Sequence, residues 1–111
     1  MSSKVFIIKS DGIGRGDDDL GRLLMSSLLR LLADSREKPA TMIFLNAGVR
    51  LVCEGSVFLA YLKKLAEQGV EILACTTCLE YFNLVEKLEV GRPTTMAKTI
   101  ESMLTAEVVS I

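Results

Sequence analysis

Two cysteines three residues apart bracket the segment Cys75-Thr76-Thr77-Cys78, and a third, Cys53, stands upstream. A thiol acts as nucleophile or metal ligand only as its thiolate. Backbone N–H groups and a helix dipole favour that form where a C-x-x-C spacing falls between a strand end and a helix start. The apolar run Val70-Glu71-Ile72-Leu73-Ala74 leads straight into Cys75, and Thr77 with Glu80 three residues later has the pattern of a capping box. On that pattern Cys78 is the first helical residue, and Cys75 projects over the strand's carboxyl end as an accessible thiolate that should alkylate below the free-cysteine pKa of about 8.5. The same residues admit a plainer reading. Free cysteine is among the most buried side chains, and Cys75 can close a buried strand as a small apolar residue.

The chain has no histidine, which removes Ser-His and Cys-His nucleophiles and the commonest zinc ligand. Zinc would need Cys53, Cys75 and Cys78 together with a carboxylate such as Glu54, so no metal is expected. A thioredoxin-like redox site would need an aromatic-Cys-Gly-Pro setting and a suitably placed cis-proline, and Pro39 and Pro93 are the only prolines. The other tempting feature is Gly12-Ile13-Gly14-Arg15-Gly16, a glycine loop between a strand and a helix. Its spacing fits neither the dinucleotide fingerprint nor the Lys-containing P-loop, and Asp17, Asp18 and Asp19 would repel a pyrophosphate from the helix end. No cofactor is expected. Calorimetry with ATP or NAD should show no appreciable affinity, and tight binding lost on replacing Gly14 would overturn this. Arg15 could still hold an anionic sulfur species or a carboxylate.

The elements that must position these groups follow from hydrophobic periodicity. Lys4 to Lys9 reads as a first buried strand. Asp17 to Asp19 then open a helix whose Leu20, Leu24, Leu28 and Leu32 are spaced by four along one face, with Gly21 implying a close packing contact. Thr41 to Leu45 is a second strand, broken by Asn46-Ala47-Gly48. Ser56 is placed to cap a helix carrying Phe58, Leu62, Leu65 and Ala66, stopped by Gly69. Val70 to Ala74 is the third strand, and Cys78 to Phe82 a short helix that Asn83 could close in the left-handed region. Leu84 to Gly91 admits a turn of helix and a brief strand; Thr94 or Thr95 then caps a helix to about Leu104, and Glu107 to Ile111 ends the chain as a strand. Strands alternating with helices predict right-handed crossovers and an α/β three-layer sandwich with a mostly parallel sheet of about five strands. Reactive groups in such folds gather beyond the carboxyl ends of the strands.

Composition sets the outer limits. The 111 residues, half of them apolar, suffice for a single domain over residues 1–111. Thirteen basic and fourteen acidic residues give a net charge of −1, which leaves no basic stripe for nucleic acid. Val5 to Ile8 is too short for a signal peptide, and no stretch approaches the roughly 20 apolar residues of a membrane span. Three cysteines without a secretory signal argue against a disulfide framework, so a cytoplasmic protein is expected. A mean hydropathy of +0.37 leaves apolar residues to spare for a subunit interface, so a homo-oligomer is expected.

Certain motifs carry a family resemblance: Ser10-Asp11, Gly14-Arg15-Gly16-Asp17-Asp18, Phe44-Leu45-Asn46-Ala47-Gly48-Val49, Glu54-Gly55-Ser56 and Cys75-Thr76-Thr77-Cys78-Leu79-Glu80-Tyr81-Phe82. Over nearly its whole length the chain resembles the DsrE/DsrF-like family, with its nearest likeness to the C-terminal domain of YedF-type selenium-metabolism proteins. The resemblance implies a parallel α/β/α sandwich, trimers or hexamers, and a sulfur relay with protein donors and acceptors. It implies that Cys75 accepts a persulfide sulfur with Cys78 as neighbour or resolving thiol, and that Asp11, Arg15, Asn46 and Gly48 line the mouth. The sequence departs from its relatives where Phe82-Asn83 replaces a frequent Arg-Gly, and in lacking a TusA-like domain with its Cys-Pro motif. A stand-alone protein or an excised domain is therefore expected. The rival readings are a non-catalytic oligomeric interaction module and a thiol-disulfide switch.

Overall fold

In the computed structural model, which describes residues 2–111, strands and helices alternate as predicted. The β-branched run forms β1 (Lys4–Ile8), followed by α1 (Asp18–Asp34), β2 (Thr41–Phe44) and a 3₁₀ helix (Asn46–Val52). Next come α2 (Leu59–Glu67), β3 (Glu71–Cys75), α3 (Thr76–Tyr81), a 3₁₀ turn (Val85–Lys87), β4 (Arg92–Thr94), α4 (Met96–Thr105) and β5 (Glu107–Ser110). The strands make one sheet in the order β4-β3-β2-β1-β5, with every neighbouring pair parallel.

That order decides where the helices go. From β1 to β4 the chain steps across the sheet in one direction, so right-handed crossovers put α1, α2 and α3 on the same face. The connection from β4 to β5 runs back across the whole sheet and carries α4 to the other face. Strand alternation divides the side chains accordingly. Phe6, Ile8, Met42, Phe44, Ile72 and Ala74 belong to the large core that α1 and α2 complete, whereas Val5, Ile7, Ile43 and Leu73 form a smaller cluster that Ala106 helps to cover. The sandwich therefore has one thick helical layer and one thin one.

The buried stripe of α1 differs from the one its leucines suggest. Gly21, Met25, Leu29 and Ala33 face the core, while Leu20 and Leu24 are exposed and Leu28 and Leu32 are half-buried. The cause is Gly21. It lies against the glycine loop, where an added Cβ would sit 3.2 Å from the Ile13 carbonyl oxygen, and its own carbonyl accepts the Ile13 N–H at 3.0 Å. This contact turns the Gly21 face inward, one residue on from the leucine face, and leaves Leu20 and Leu24 in the open. Asp17 caps the helix by accepting the Leu20 N–H at 2.9 Å.

Two other expectations shift. Ser56 does not cap α2, whose N-cap is Phe58; its hydroxyl instead accepts the Phe58 N–H at 3.1 Å in the preceding turn. The brief strand sought before Gly91 falls after it. Cys53 and Leu88 make a single antiparallel bridge, and β4 follows as an edge strand, where Pro93 can be accommodated without a missing ladder donor. Of the two candidate caps for α4, Thr95 serves, accepting the Lys98 N–H at 3.2 Å. No described helix is long and apolar enough to cross a membrane.

Candidate functional site

The β-propensity of Glu71-Ile72-Leu73-Ala74 carries the strand one residue further than predicted, so that Cys75 still pairs with Thr94 of β4. Helix α3 begins at the very next residue with Cys75 as its N-cap, and no side chain caps it. The Thr77–Glu80 capping box does not form. Instead the Thr76 hydroxyl donates to the Thr94 carbonyl at 2.9 Å, tying the start of α3 to β4. Since strand and helix abut, no loop remains on which Cys75 could project, and it is 2% exposed within the large core. Cys78, within α3, is the half-buried member of the pair and Cys53 is buried. The accessible thiol is thus Cys78 rather than Cys75. Asn83 closes α3 with φ of 57°, as its residue type suggested.

A second loop reaches this thiol. Asn46 follows β2 in the left-handed region (φ 50°) and opens the 3₁₀ helix, and its backbone N–H donates to Cys78 Sγ at 3.1 Å. The segment after β2 therefore meets the first turn of α3 at Cys78. Burial pushes the Cys78 thiol above its ordinary pKa; the Asn46 N–H pulls it down, and a hydrogen bond and charge interaction with the Cys75 thiol push it up again. Cys53 is also raised, by burial and then by the charge of Glu89. Since only the thiolate alkylates, Cys78 should be the first of the three to react with a small alkylating agent. Its rate should keep rising with pH beyond about 8.5, the pKa of a free cysteine. A plateau below that pH, or Cys75 reacting first in the folded protein, would contradict the geometry.

The remaining residues expected at the mouth are dispersed. Gly48 is buried, and a Cβ on it would lie 2.3 Å from the Ile8 carbonyl oxygen, so its evident part is to let the 3₁₀ helix approach the end of β1. Arg15 is exposed on the glycine loop and, among the described residues, takes part in no ion pair. Asp11 lines a cleft with Arg22, Arg50, Cys53, Glu54 and Phe82 among others. Of the residues expected at the mouth, only Asn46 hydrogen-bonds the Cys78 thiol among the described residues. Sequence reasoning missed Arg50, whose guanidinium lies 4.4 Å from the centre of the Phe82 ring. The available signal was spacing: Arg50 is four residues after Asn46, and Phe82 four after Cys78.

No protein-family model and no curated protein sequence matches the chain. Among solved structures it is similar to the ychN protein from E. coli, at 16% identity and a TM-score of 0.69, with all of both chains covered. It is also similar to MTH1491, a protein of unknown function from Methanobacterium thermoautotrophicum, at 20% identity and a TM-score of 0.70 over the full length of both. BT1422, a conserved protein of unknown function from Bacteroides thetaiotaomicron, matches at 16% identity and a TM-score of 0.64, covering 98% of this chain and 95% of that one. At these identities the likeness establishes a shared fold.

Proposed function

We propose that the chain is a persulfide carrier in a cytoplasmic sulfur relay, of the DsrE/DsrF-like kind and nearest to the YedF type, with Cys78 as the thiol that meets the donor. The observation that carries this reading is the environment of Cys78: half-exposed in α3 where the segment after β2 reaches it, hydrogen-bonded by the Asn46 N–H, and near enough to the buried Cys75 for that thiol to raise its pKa. The family resemblance alone gives the carrier role to Cys75. Its burial supports exchanging the two roles.

The chemistry needs no external oxidant. The Cys78 thiolate attacks the outer sulfur of a donor persulfide; the donor S–S bond breaks, the donor leaves as a thiolate, and Cys78 holds a persulfide. An acceptor nucleophile then takes the outer sulfur and releases Cys78. Alternatively the Cys75 thiolate attacks the inner sulfur, expelling hydrosulfide and closing a Cys75–Cys78 disulfide. A raised thiol pKa keeps the resting group protonated, while the small thiolate fraction is intrinsically more nucleophilic. The spacing of Cys75 and Cys78 across the start of α3 also favours a second reading, a thiol-disulfide switch. Loading the protein with a low-molecular-weight persulfide and measuring cyanide-releasable sulfur separates them, because a carrier retains sulfur and a switch ends as a disulfide without it.

A homo-oligomer belongs to the same proposal. On the thin layer, Met96, Ile100, Met103 and Leu104 of α4 are exposed; on the other, Leu20, Leu23, Leu24 and Leu31 of α1 are exposed. Two apolar faces on opposite layers are enough for a closed trimer or for a hexamer with two kinds of contact. Light scattering should give one of these states, and Leu104→Lys or Leu23→Lys should lower it. A monomer at micromolar concentration would remove this part.

A further inference from the structure

The cleft beside the thiol site has its own chemistry. It has a volume of about 440 Å³ and is walled by Leu51, Val57, Phe58, Phe82 and Leu84, with Arg22, Arg50, Asp11 and Glu54 at its polar edge. Arg22 is already engaged, donating to Asp19 at 2.6 Å. Arg50 is held over the Phe82 ring, and among the described residues neither it nor Asp11 nor Glu54 takes part in an ion pair. Arg50 and Glu54 thus share one cleft without an ion-pair partner, while Asp11 lies near enough to Arg22 to raise its pKa. The rest of the lining is largely apolar, and Gly55, at φ of 93°, has open space where a Cβ would be.

We infer that this cleft binds a zwitterionic α-amino acid or the end of a short peptide, its carboxylate on Arg50, its ammonium between Asp11 and Glu54, and an apolar side chain against Phe58 and Leu84. Each part of such a ligand answers one part of the lining. A simple anion would leave the carboxylates facing it, and a simple cation would face Arg50. Arginine is suited to the carboxylate because its planar fork can bind both oxygens. Of the three cysteines only the buried Cys53 lines the cleft; Cys75 and Cys78 do not. The site therefore does not depend on the sulfur-relay reading.

The test is amide NMR of the whole chain titrated with L-phenylalanine, and in parallel with phenethylamine and 3-phenylpropionate, which each keep one of the two charges. The expected result is saturable shifts at residues 50–58 and 82–84 with L-phenylalanine. Each single-charge analogue should bind at least about tenfold more weakly, and Arg50→Gln and Glu54→Gln should each weaken L-phenylalanine by a similar factor. Both side chains are on exposed residues, and unchanged spectra elsewhere verify folding. No shifts up to about 10 mM, a concentration that would still reveal millimolar affinity, would overturn the proposal. So would analogues that bind as well as the amino acid.

Discussion

Gly48→Ala should unfold a large fraction of the molecule's stability, by about 3 kcal/mol or more, because the new methyl group meets only backbone. Its Cβ would stand 2.3 Å from the Ile8 carbonyl oxygen, 3.1 Å from the Ile8 carbonyl carbon and 3.4 Å from the Ser10 nitrogen. No rotamer can relieve that overlap. Either the end of β1 or the 3₁₀ helix must move, and the Ile8 oxygen already accepts the Leu45 N–H at 2.9 Å. Against a total stability of about 5–15 kcal/mol, such a loss lowers the melting temperature by more than about 10 °C. Gly55→Ala is the control. Its φ of 93° is unfavourable to alanine but nothing lies within 4 Å, so it should cost only about 1–2 kcal/mol. Thermal melts that rank Gly55→Ala as the more damaging would show that the close approach at Gly48 is wrong. Because the displaced segment carries Asn46, Gly48→Ala should also disturb the N–H contact to Cys78.

Cys78→Ser should abolish sulfur loading, to below about one hundredth of wild type, since the hydroxyl that replaces the thiol is not a comparable nucleophile near neutral pH. Cys75→Ser should load but keep its sulfur longer, by roughly tenfold, because the neighbour able to attack the inner sulfur is gone. Cys53→Ser should load like wild type: its thiol is 1% exposed and bridges to Leu88 through the backbone only. Following cyanide-releasable sulfur with time in the three variants checks all of this. Equal loading in every variant would leave the thiols as packed residues and support the interaction-module reading.

The order of elements was legible because the strands are short apolar runs bounded by glycine and polar turns, and β1, β2, β3 and β5 fall within a residue or two of where those runs place them. Which face of α1 is buried was not. Four leucines at ideal spacing outweigh Gly21, Met25, Leu29 and Ala33 on any hydrophobicity count, yet a backbone contact at Gly21 decides the rotation. Of the leucine face, Leu20 and Leu24 are open and Leu28 and Leu32 lie at the margin of the core. At the site, the positions of Cys75 and Cys78 at the end of β3 could be read directly, but their relative exposure could not. It turned on whether a residue or two of loop separates β3 from α3, and a Thr-x-x-Glu pattern suggested a cap where the chain uses Thr76 to hold Thr94 instead. Asn46 was anticipated at the mouth, although its contact is made through its backbone and depends on a left-handed φ that asparagine tolerates.

The central claim is that Cys78 holds a transferred sulfur, and the most direct measurement is whole-protein mass spectrometry after exposure to a persulfide donor and removal of the excess. Proteolysis without reductant then locates the addition. The account predicts the mass gain of a single sulfur, carried by the peptide that contains Cys78. An unchanged mass, a gain confined to Cys53, or a loss of two hydrogens with no sulfur retained at any time would contradict it.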